Sequence, residues 1–231
     1  MEKAKVAAMF DGIAPKYDFL NHFLSFGIDK LWRKKLVKLL KKQSPHSVLD
    51  IATGTGDLAI AINKRAKPEK IIGADISEQM LQYGREKIDK KGLQNTITLE
   101  YGDSENLKYA DNSFDAVTVA FGVRNFENLG KGLAEMHRVL KPGGKVYILE
   151  FTMPQRFPFK QLYRFYFFKI LPLIGRLFSG HSKAYNYLPQ SVEQFPQNEV
   201  MLNKLNEIGF IHTKYVILTL GIAAIYTGER L

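Results

Sequence analysis

Leu49-Asp50-Ile51-Ala52-Thr53-Gly54-Thr55-Gly56-Asp57 is the stretch on which the reading of this chain turns. An apolar run closing on an acid meets two glycines one residue apart, and an amphipathic stretch from Asp57 to Arg65 follows at once. That order predicts a strand, a tight turn presenting backbone N–H groups, and a helix. Working outward, apolar runs near Ser47–Ile51, Lys70–Asp75, Thr96–Tyr101, Asp115–Phe121 and Lys145–Phe151 read as strands. Helical patterns near Asp57–Arg65, Glu78–Lys90 and Asn128–Leu140 separate them, the last stopped by Pro142-Gly143-Gly144. Alternation of this kind predicts βα units and a mostly parallel sheet. A helix near Gln197–Ile208, ended by Gly209, then leads to Ile211–Leu218 and Ile222–Thr227, which read as a terminal hairpin. Residues 1–46 look helical, and residues 152–192 form an insertion after the fifth strand; both read as additions to one domain spanning 1–231.

Taken literally, Gly54, Gly56 and Ala59 satisfy a dinucleotide-binding fingerprint, and Asp75, 21 residues after Gly54, stands where an acid would hold a ribose. Charge argues otherwise. Asp50 and Asp57 would set carboxylates beside a pyrophosphate that seeks the positive end of the helix. S-adenosylmethionine carries a sulfonium and an ammonium and no phosphate, so acids around the turn attract it and its ribose still suits Asp75. Gly102-Asp103-Ser104 places a further acid after the third strand, where it could meet an adenine amino group. Each feature alone is common in α/β proteins. The joint spacing of Asp50, Gly54, Gly56, Asp75 and Asp103 at successive strand ends favours cofactor binding over ordinary turn chemistry.

Composition narrows the setting. The 231 residues are 45% hydrophobic and 24% charged, close to globular usage, and contain no cysteine, which excludes disulfides, thiolate catalysis and Cys-ligated metal. The opening residues lack the unbroken apolar run of a secretory signal, and the greasiest part, 165–178, is broken by Lys169, Pro172, Gly175 and Arg176. A cytoplasmic protein that does not span a bilayer is expected. A net charge of +10 favours anionic partners, nucleic acid or an anionic membrane surface.

Beyond the turn, Tyr17-Asp18-Phe19-Leu20-Asn21-His22-Phe23-Leu24-Ser25-Phe26-Gly27 with Trp32, and Arg138-Val139-Leu140-Lys141-Pro142-Gly143-Gly144 running to Glu150-Phe151-Thr152, resemble the two signatures of the ubiquinone/menaquinone biosynthesis C-methyltransferase family. Phe121-Gly122-Val123-Arg124-Asn125 is similar to its Gly-x-Arg-Asn element. The departures are Leu20 for the usual methionine, Thr152 for the usual serine, and Ala120 where some members have serine. The resemblance covers nearly the whole chain. It implies the class I S-adenosylmethionine-dependent methyltransferase fold, an α/β Rossmann-like seven-stranded sheet, mostly parallel, with an antiparallel terminal hairpin. It implies Thr55, Asp75 and the Asp103-Ser104 pair as cofactor-binding positions, and demethylmenaquinol as the acceptor, with a methoxy-benzoquinol of ubiquinone biosynthesis as the alternative.

A ring carbon becomes nucleophilic when a neighbouring hydroxyl loses its proton, yet a phenol-type pKa near ~10 leaves the phenolate scarce at neutral pH. No metal is needed for that chemistry. Arg124, following a central strand, is the candidate to stabilise the phenolate, and Asn125 to orient a hydroxyl or water. The alternative for Arg124 is a surface arginine paired with Glu127. His22, His137 and His181 are candidate bases, with His137, inside a helix, better suited to packing. Between Glu150 and Glu193 there is no acid, while ten aromatics run from Phe157 to Tyr187 among Arg156, Lys160, Arg164, Lys169, Arg176 and Lys183. Such a segment suits an interfacial helix on anionic lipid, peripheral to the inner face of the membrane, or an internal cap over the substrate. The expected partners are thus a polyprenyl quinol and an anionic membrane surface, with a homodimer kept open. Aromatics among cations would also suit a nucleic-acid methyltransferase, but no Asn-Pro-Pro or Asp-Pro-Pro occurs and nucleic acid is not expected. A cofactor-binding membrane adaptor would need the glycine turn but no acceptor cavity.

Overall fold

The computed structural model describes residues 2–171 and 182–231. The chain enters through helices α1 (Lys3–Ile13), α2 (Tyr17–Leu24) and α3 (Ile28–Lys41), as the helical reading of residues 1–46 expects. The βα succession follows: β1 (Ser47–Ile51), α4 (Asp57–Arg65), β2 (Lys70–Asp75), α5 (Glu78–Lys90), β3 (Ile97–Tyr101), β4 (Phe114–Ala120), α6 (Leu129–Val139) and β5 (Leu140–Phe151). After β5 come α7 (Phe159–Phe165), a wider-wound turn at Tyr166–Ile170, α8 (Ser182–Gln194), α9 (Glu199–Ile208), β6 (Ile211–Leu218) and β7 (Ala223–Glu229).

The seven strands lie in the order β3-β2-β1-β4-β5-β7-β6. β1 pairs in parallel with both β2 and β4, whereas β7 is antiparallel to β5 and to β6. The terminal hairpin forms as expected, but its second strand inserts between β5 and its first strand. β7 is buried at every position but the last, and β6 alternates because it is the sheet edge. Several boundaries move by a few residues, two of them for evident local reasons. β5 begins at Leu140 rather than Lys145, because Leu140 pairs with Phe114 before the register resumes at Lys145 opposite Ala116. Asn128 caps α6 instead of joining it, its side chain accepting the Lys131 N–H at 3.0 Å.

Helices cover both faces of the sheet. On one, Trp32, Leu36, Val37 and Leu40 of α3 pack with Leu58 and Ile62 of α4 and Leu81 and Ile88 of α5. On the other, Leu133 and Met136 of α6 meet Met201 and Leu205 of α9. Each such fully buried aliphatic contributes roughly 1.5–3 kcal/mol. A third cluster joins Ile13 of α1, Met80 of α5, Phe167, Leu171 and Val192, which fastens the amino-terminal helices to the segment after β5. The two additions to the βα core therefore pack against each other above the carboxyl edge of the sheet.

At that edge the strand order reverses between β1 and β4, the place where open α/β sheets hold ligands. Each strand is followed at once by a left-handed non-glycine residue, Ala52 with φ 52° and Phe121 with φ 61°. Gly122 lets the two turns touch, since a Cβ there would lie 2.4 Å from the Cβ of Ala52.

Candidate active site

Three connected cavities open above the switch point. The first, of about 660 Å³, is lined by Gly54, Asp75, Asp103, Ser104, Ala120 and Asn125, with Lys3 and Phe10 of α1 as its roof. The second, of about 1340 Å³, is mostly apolar: Ile13, Trp32, Phe151, Tyr163, Phe167 and Ile222 are in its wall, with Arg33 and Arg124 as cations. A small third cleft, of about 360 Å³, is bordered by Asp18, Arg33, Asp50, Thr53, Thr55 and Asp57. Phe10, Tyr17 and Phe121 are common to the first two cavities, and Tyr17 borders all three.

The first cavity runs across successive strand ends. The Gly54 N–H donates to Asp75 Oδ2 at 2.8 Å and the Ser77 N–H to Asp75 Oδ1 at 2.9 Å, so backbone donors fix the carboxylate at the cavity wall. Burial outweighs those donors and raises the Asp75 pKa. Asp103 Oδ1 accepts the Glu105 N–H at 2.9 Å, while Oδ2 takes Lys3 Nζ at 2.7 Å across one hundred positions of sequence. Asn125 Oδ1 is buried at this cavity and accepts no hydrogen bond among the described residues.

The model of the ubiE/COQ5 methyltransferase family matches residues 1–230. The chain belongs to that family. Demethylmenaquinone methyltransferase of Bacteroides fragilis is 50% identical over 226 residues, covering 98% of this chain and 92% of the relative. Ubiquinone/menaquinone biosynthesis C-methyltransferase UbiE of Geotalea daltonii is 48% identical over 227 residues, covering 98% and 96%. Demethylmenaquinone methyltransferase of Thermus thermophilus is 45% identical over 222 residues, covering 96% and 100%. Among solved structures, a SAM-dependent methyltransferase from Aquifex aeolicus superposes with a TM-score of 0.61 at 20% identity, over 85% of this chain and 89% of that one. A SAM-dependent methyltransferase from Thermotoga maritima, described as a possible histamine N-methyltransferase, gives 0.65 at 19% identity, over 97% and 99%. These likenesses fix the fold, and the family fixes an S-adenosylmethionine-dependent methyltransferase. The first cavity fits that donor, offering carboxylates at the ends of β2 and β3 and the unpartnered Asn125 oxygen beside them.

The methyltransferase uses its glycine turn less uniformly than the motif suggests. Gly54 borders the first cavity with φ 56°, but Gly56, at φ 78°, turns into the core, where a Cβ would meet the Leu99 side chain at 3.4 Å. It starts α4 and borders none of the three cavities. Asp50 is buried, both oxygens accepting threonine hydroxyls, Thr53 at 2.6 Å and Thr118 at 2.7 Å, and burial pushes its pKa up to about 6. Thr55 donates to Asp18 at 2.6 Å and accepts from Lys87 Nζ at 3.0 Å. Lys87 also reaches Asp18 at 2.6 Å and Asp57 at 2.8 Å, tying α2, the turn and α5 together. Burial alone would raise Asp57, yet Lys87 and Arg33 hold it below the ordinary carboxylate range. Asp57 is thus matched by local cations and Asp50 by threonine hydroxyls.

Arg124 borders the large cavity and Asn125 the first, so the Gly-x-Arg-Asn turn divides its two side chains between them. The partner of Arg124 is not Glu127 but Glu150, the last buried acid of β5, with Nη1 2.7 Å from Oε1. Nη1 also donates to the Phe121 carbonyl, and Nε is buried without a partner among the described residues. The guanidinium lies 5.6 Å from the centre of the Phe151 ring. Phe151 stacks on Phe121 at 4.5 Å, and Arg33 sits 5.6 Å over Phe121, giving a ladder of two cations and two rings along the cavity wall.

None of the described histidines faces this wall. His22 Nδ1 lies 2.7 Å from Asp29 and Nε2 3.4 Å from Asp57, so it is held between two acids. His137 stacks edge-on to Phe210 at 4.9 Å, the packing role its helix suggests. His181, Arg176 and Phe178 lie outside the described residues, as do the side chains of Lys183 and Tyr185. Local periodicity does not signal Lys3, Lys87 or Glu150, because each acts on a residue far away in the chain.

Proposed function

We propose that this methyltransferase methylates the ring carbon of demethylmenaquinol to give menaquinol, with S-adenosylmethionine as donor. The observation that carries this reading is the large apolar cavity, which shares Phe10, Tyr17 and Phe121 with the cofactor cavity and holds a buried arginine. Its volume and its Phe121-Phe151 wall suit a planar bicyclic ring, and the names of the relatives from Bacteroides fragilis and Thermus thermophilus point to the same substrate.

Bound S-adenosylmethionine supplies an electrophilic methyl group on a sulfonium; the chain supplies alignment and charge. Asp75 holds the ribose, and Asp103 and Ser104 border the adenine, with Gly54 and Thr55 shaping the turn between them. Asp50 and Gly56 act on the turn from beneath rather than by touching the donor. Arg124 favours the quinolate: its unpartnered Nε offers a donor to a ring oxygen, while Glu150 fixes the guanidinium. Asn125 accepts from a hydroxyl or water at the boundary of the two cavities. As the ring carbon takes the methyl group, it loses its proton to solvent and the ring regains aromaticity.

The same chain, acting as one catalytic unit, meets its long-tailed acceptor at an anionic membrane surface on the cytoplasmic side. Phe157, Phe159, Leu162 and Phe165 are exposed on α7 and its approach, and Arg156, Lys160 and Lys169 are exposed with them. Arg164 is held by Glu193 at 2.6 Å and contributes less charge to such a surface. Among the described residues no helix is long and apolar enough to cross a membrane. Phe167 and Leu171 of the same segment are buried against α1 and α8, so one side covers the acceptor cavity while the other is free for lipid. The test is incubation of purified protein with labelled donor and a chemically reduced, short-tailed demethylmenaquinone. Methylated menaquinol should form, and only with the reduced acceptor. Preference for a methoxy-benzoquinol would move the assignment to ubiquinone biosynthesis.

A further inference from the structure

The small third cleft carries a feature that neither the glycine turn nor the acceptor cavity explains. It joins the cofactor cavity through Tyr17, Ala52, Gly54 and Ala120, on the side of the turn away from Asp103. Three acids border it, Asp18, Asp50 and Asp57, and among its described lining residues Arg33 is the single cation.

The neighbouring charges are already matched. Lys87 serves Asp18, Asp57 and Thr55. Asp50 accepts from Thr53 and Thr118. Asp29, on the far side of Arg33, accepts from Ser25 at 2.6 Å and lies 2.7 Å from His22 as well as bonding Arg33 Nη1. Arg33 Nη2 is left: it stands 3.9 Å from Asp57 and donates no hydrogen bond among the described residues. The side chain is only 11% exposed, and the Phe121 ring and Asp29 fix its plane. Its backbone belongs to α3, anchored by fully buried Leu36 and Leu40. A guanidinium held on one edge, with its other edge turned to a cleft, is built to take a carboxylate.

We infer that Arg33 binds the carboxylate of the methionyl end of the donor, which extends into the third cleft while the adenosyl part lies along Asp75 and Asp103. The inference rests on that placement of the adenosyl part. Asp29 serves as the positioning residue that keeps Arg33 turned inward.

Calorimetry with three ligands tests this without any turnover. S-adenosylmethionine should bind the wild-type protein roughly tenfold or more tighter than its decarboxylated analogue, the scale of one charge-assisted hydrogen-bonded pair. Arg33→Met should remove that preference, weakening the full donor by the same factor while the decarboxylated analogue binds as before. Arg33→Lys, which keeps a charge for Asp29 but loses the planar fork, should fall between. A wild-type protein that does not discriminate between the two ligands overturns the assignment, and this arm needs no variant. Equal weakening of both ligands by Arg33→Met also overturns it, showing a merely structural arginine. 5′-Methylthioadenosine, which lacks the whole amino-acid end, checks the adenosyl placement separately. It should compete with the full donor and lose affinity in Asp75→Ala whatever becomes of Arg33.

Discussion

Replacing Arg124 by methionine should destabilise the protein and silence it for two separable reasons. The side chain of Glu150 has no solvent exposure and that of Arg124 only 6%, so removing the arginine leaves a carboxylate in the core. Breaking such a pair costs roughly 3–5 kcal/mol. Glu150 keeps two backbone donors, Phe151 N–H at 2.9 Å and Arg124 N–H at 3.3 Å, which places the loss near the lower bound, about 3 kcal/mol. For a chain of this length that corresponds to a fall in Tm of roughly 6–12 °C. Glu150→Gln should cost a similar amount by leaving the guanidinium with the Phe121 carbonyl alone. In the double variant no buried charge remains, so the two losses should fail to add by at least ~2 kcal/mol. Turnover behaves differently. Loss of a fixed electrostatic stabiliser lowers kcat on the order of 10²-fold, and restored stability does not restore it. Urea denaturation of the four proteins, with single-turnover methylation of a short-tailed quinol alongside, reads both quantities. A loss under 1 kcal/mol for Arg124→Met, or turnover regained in the double variant, would refute the reasoning.

Asp75→Ala should weaken donor binding by about 1–3 kcal/mol in calorimetry, and unchanged affinity in the folded variant rules out the ribose role. Gly122→Ala should cost roughly 1–3 kcal/mol through the 2.4 Å approach to Ala52, with Ala52→Gly in the same chain recovering most of it on denaturation. Asp115 accepts the Ser47 N–H at 2.7 Å and Lys141 Nζ at 2.7 Å; burial would raise its pKa, but these partners hold it below the usual carboxylate range. Its stabilisation is therefore present above roughly pH 4 and is lost as pH falls through the lowered folded value, so the deficit of Asp115→Asn should shrink in acid. A deficit that grows instead contradicts that sign. Phe157→Ser with Phe165→Ser should reduce binding to anionic vesicles at every salt concentration, while Arg156, Lys160 and Lys169 changed to Glu should reduce it chiefly at low salt. Wild-type vesicle binding by both sets would leave α7 as a cavity cover alone.

The sequence by itself determines what depends on neighbours in the chain. β1, α4, β2 and α5 begin and end where the apolar periodicity and the glycine turn say, because turn sterics and helical repeat act within a few residues. The same local logic puts Gly54, Asp75, Asp103 and Ser104 at strand ends, and in a parallel sheet all such ends share one edge. Partnerships across the fold are decided only in three dimensions. Arg124 belongs to Glu150 rather than to nearby Glu127 because β4 and β5 lie side by side, and a β5 residue projects under the turn that follows β4. Gly56 fits the fingerprint yet packs beneath Leu99, since a motif specifies a backbone path and not which of its atoms face the cavity. Asp57, one of the acids that make a cationic ligand attractive, is matched by Lys87 and Arg33, delivered by α5 and α3. The large apolar cavity draws on α1, α3, the ends of β4 and β5, α7 and the approach to β7. No local pattern spans those segments; burial of Ile13, Phe167 and Val192 in one cluster brings them together around the apolar cavity.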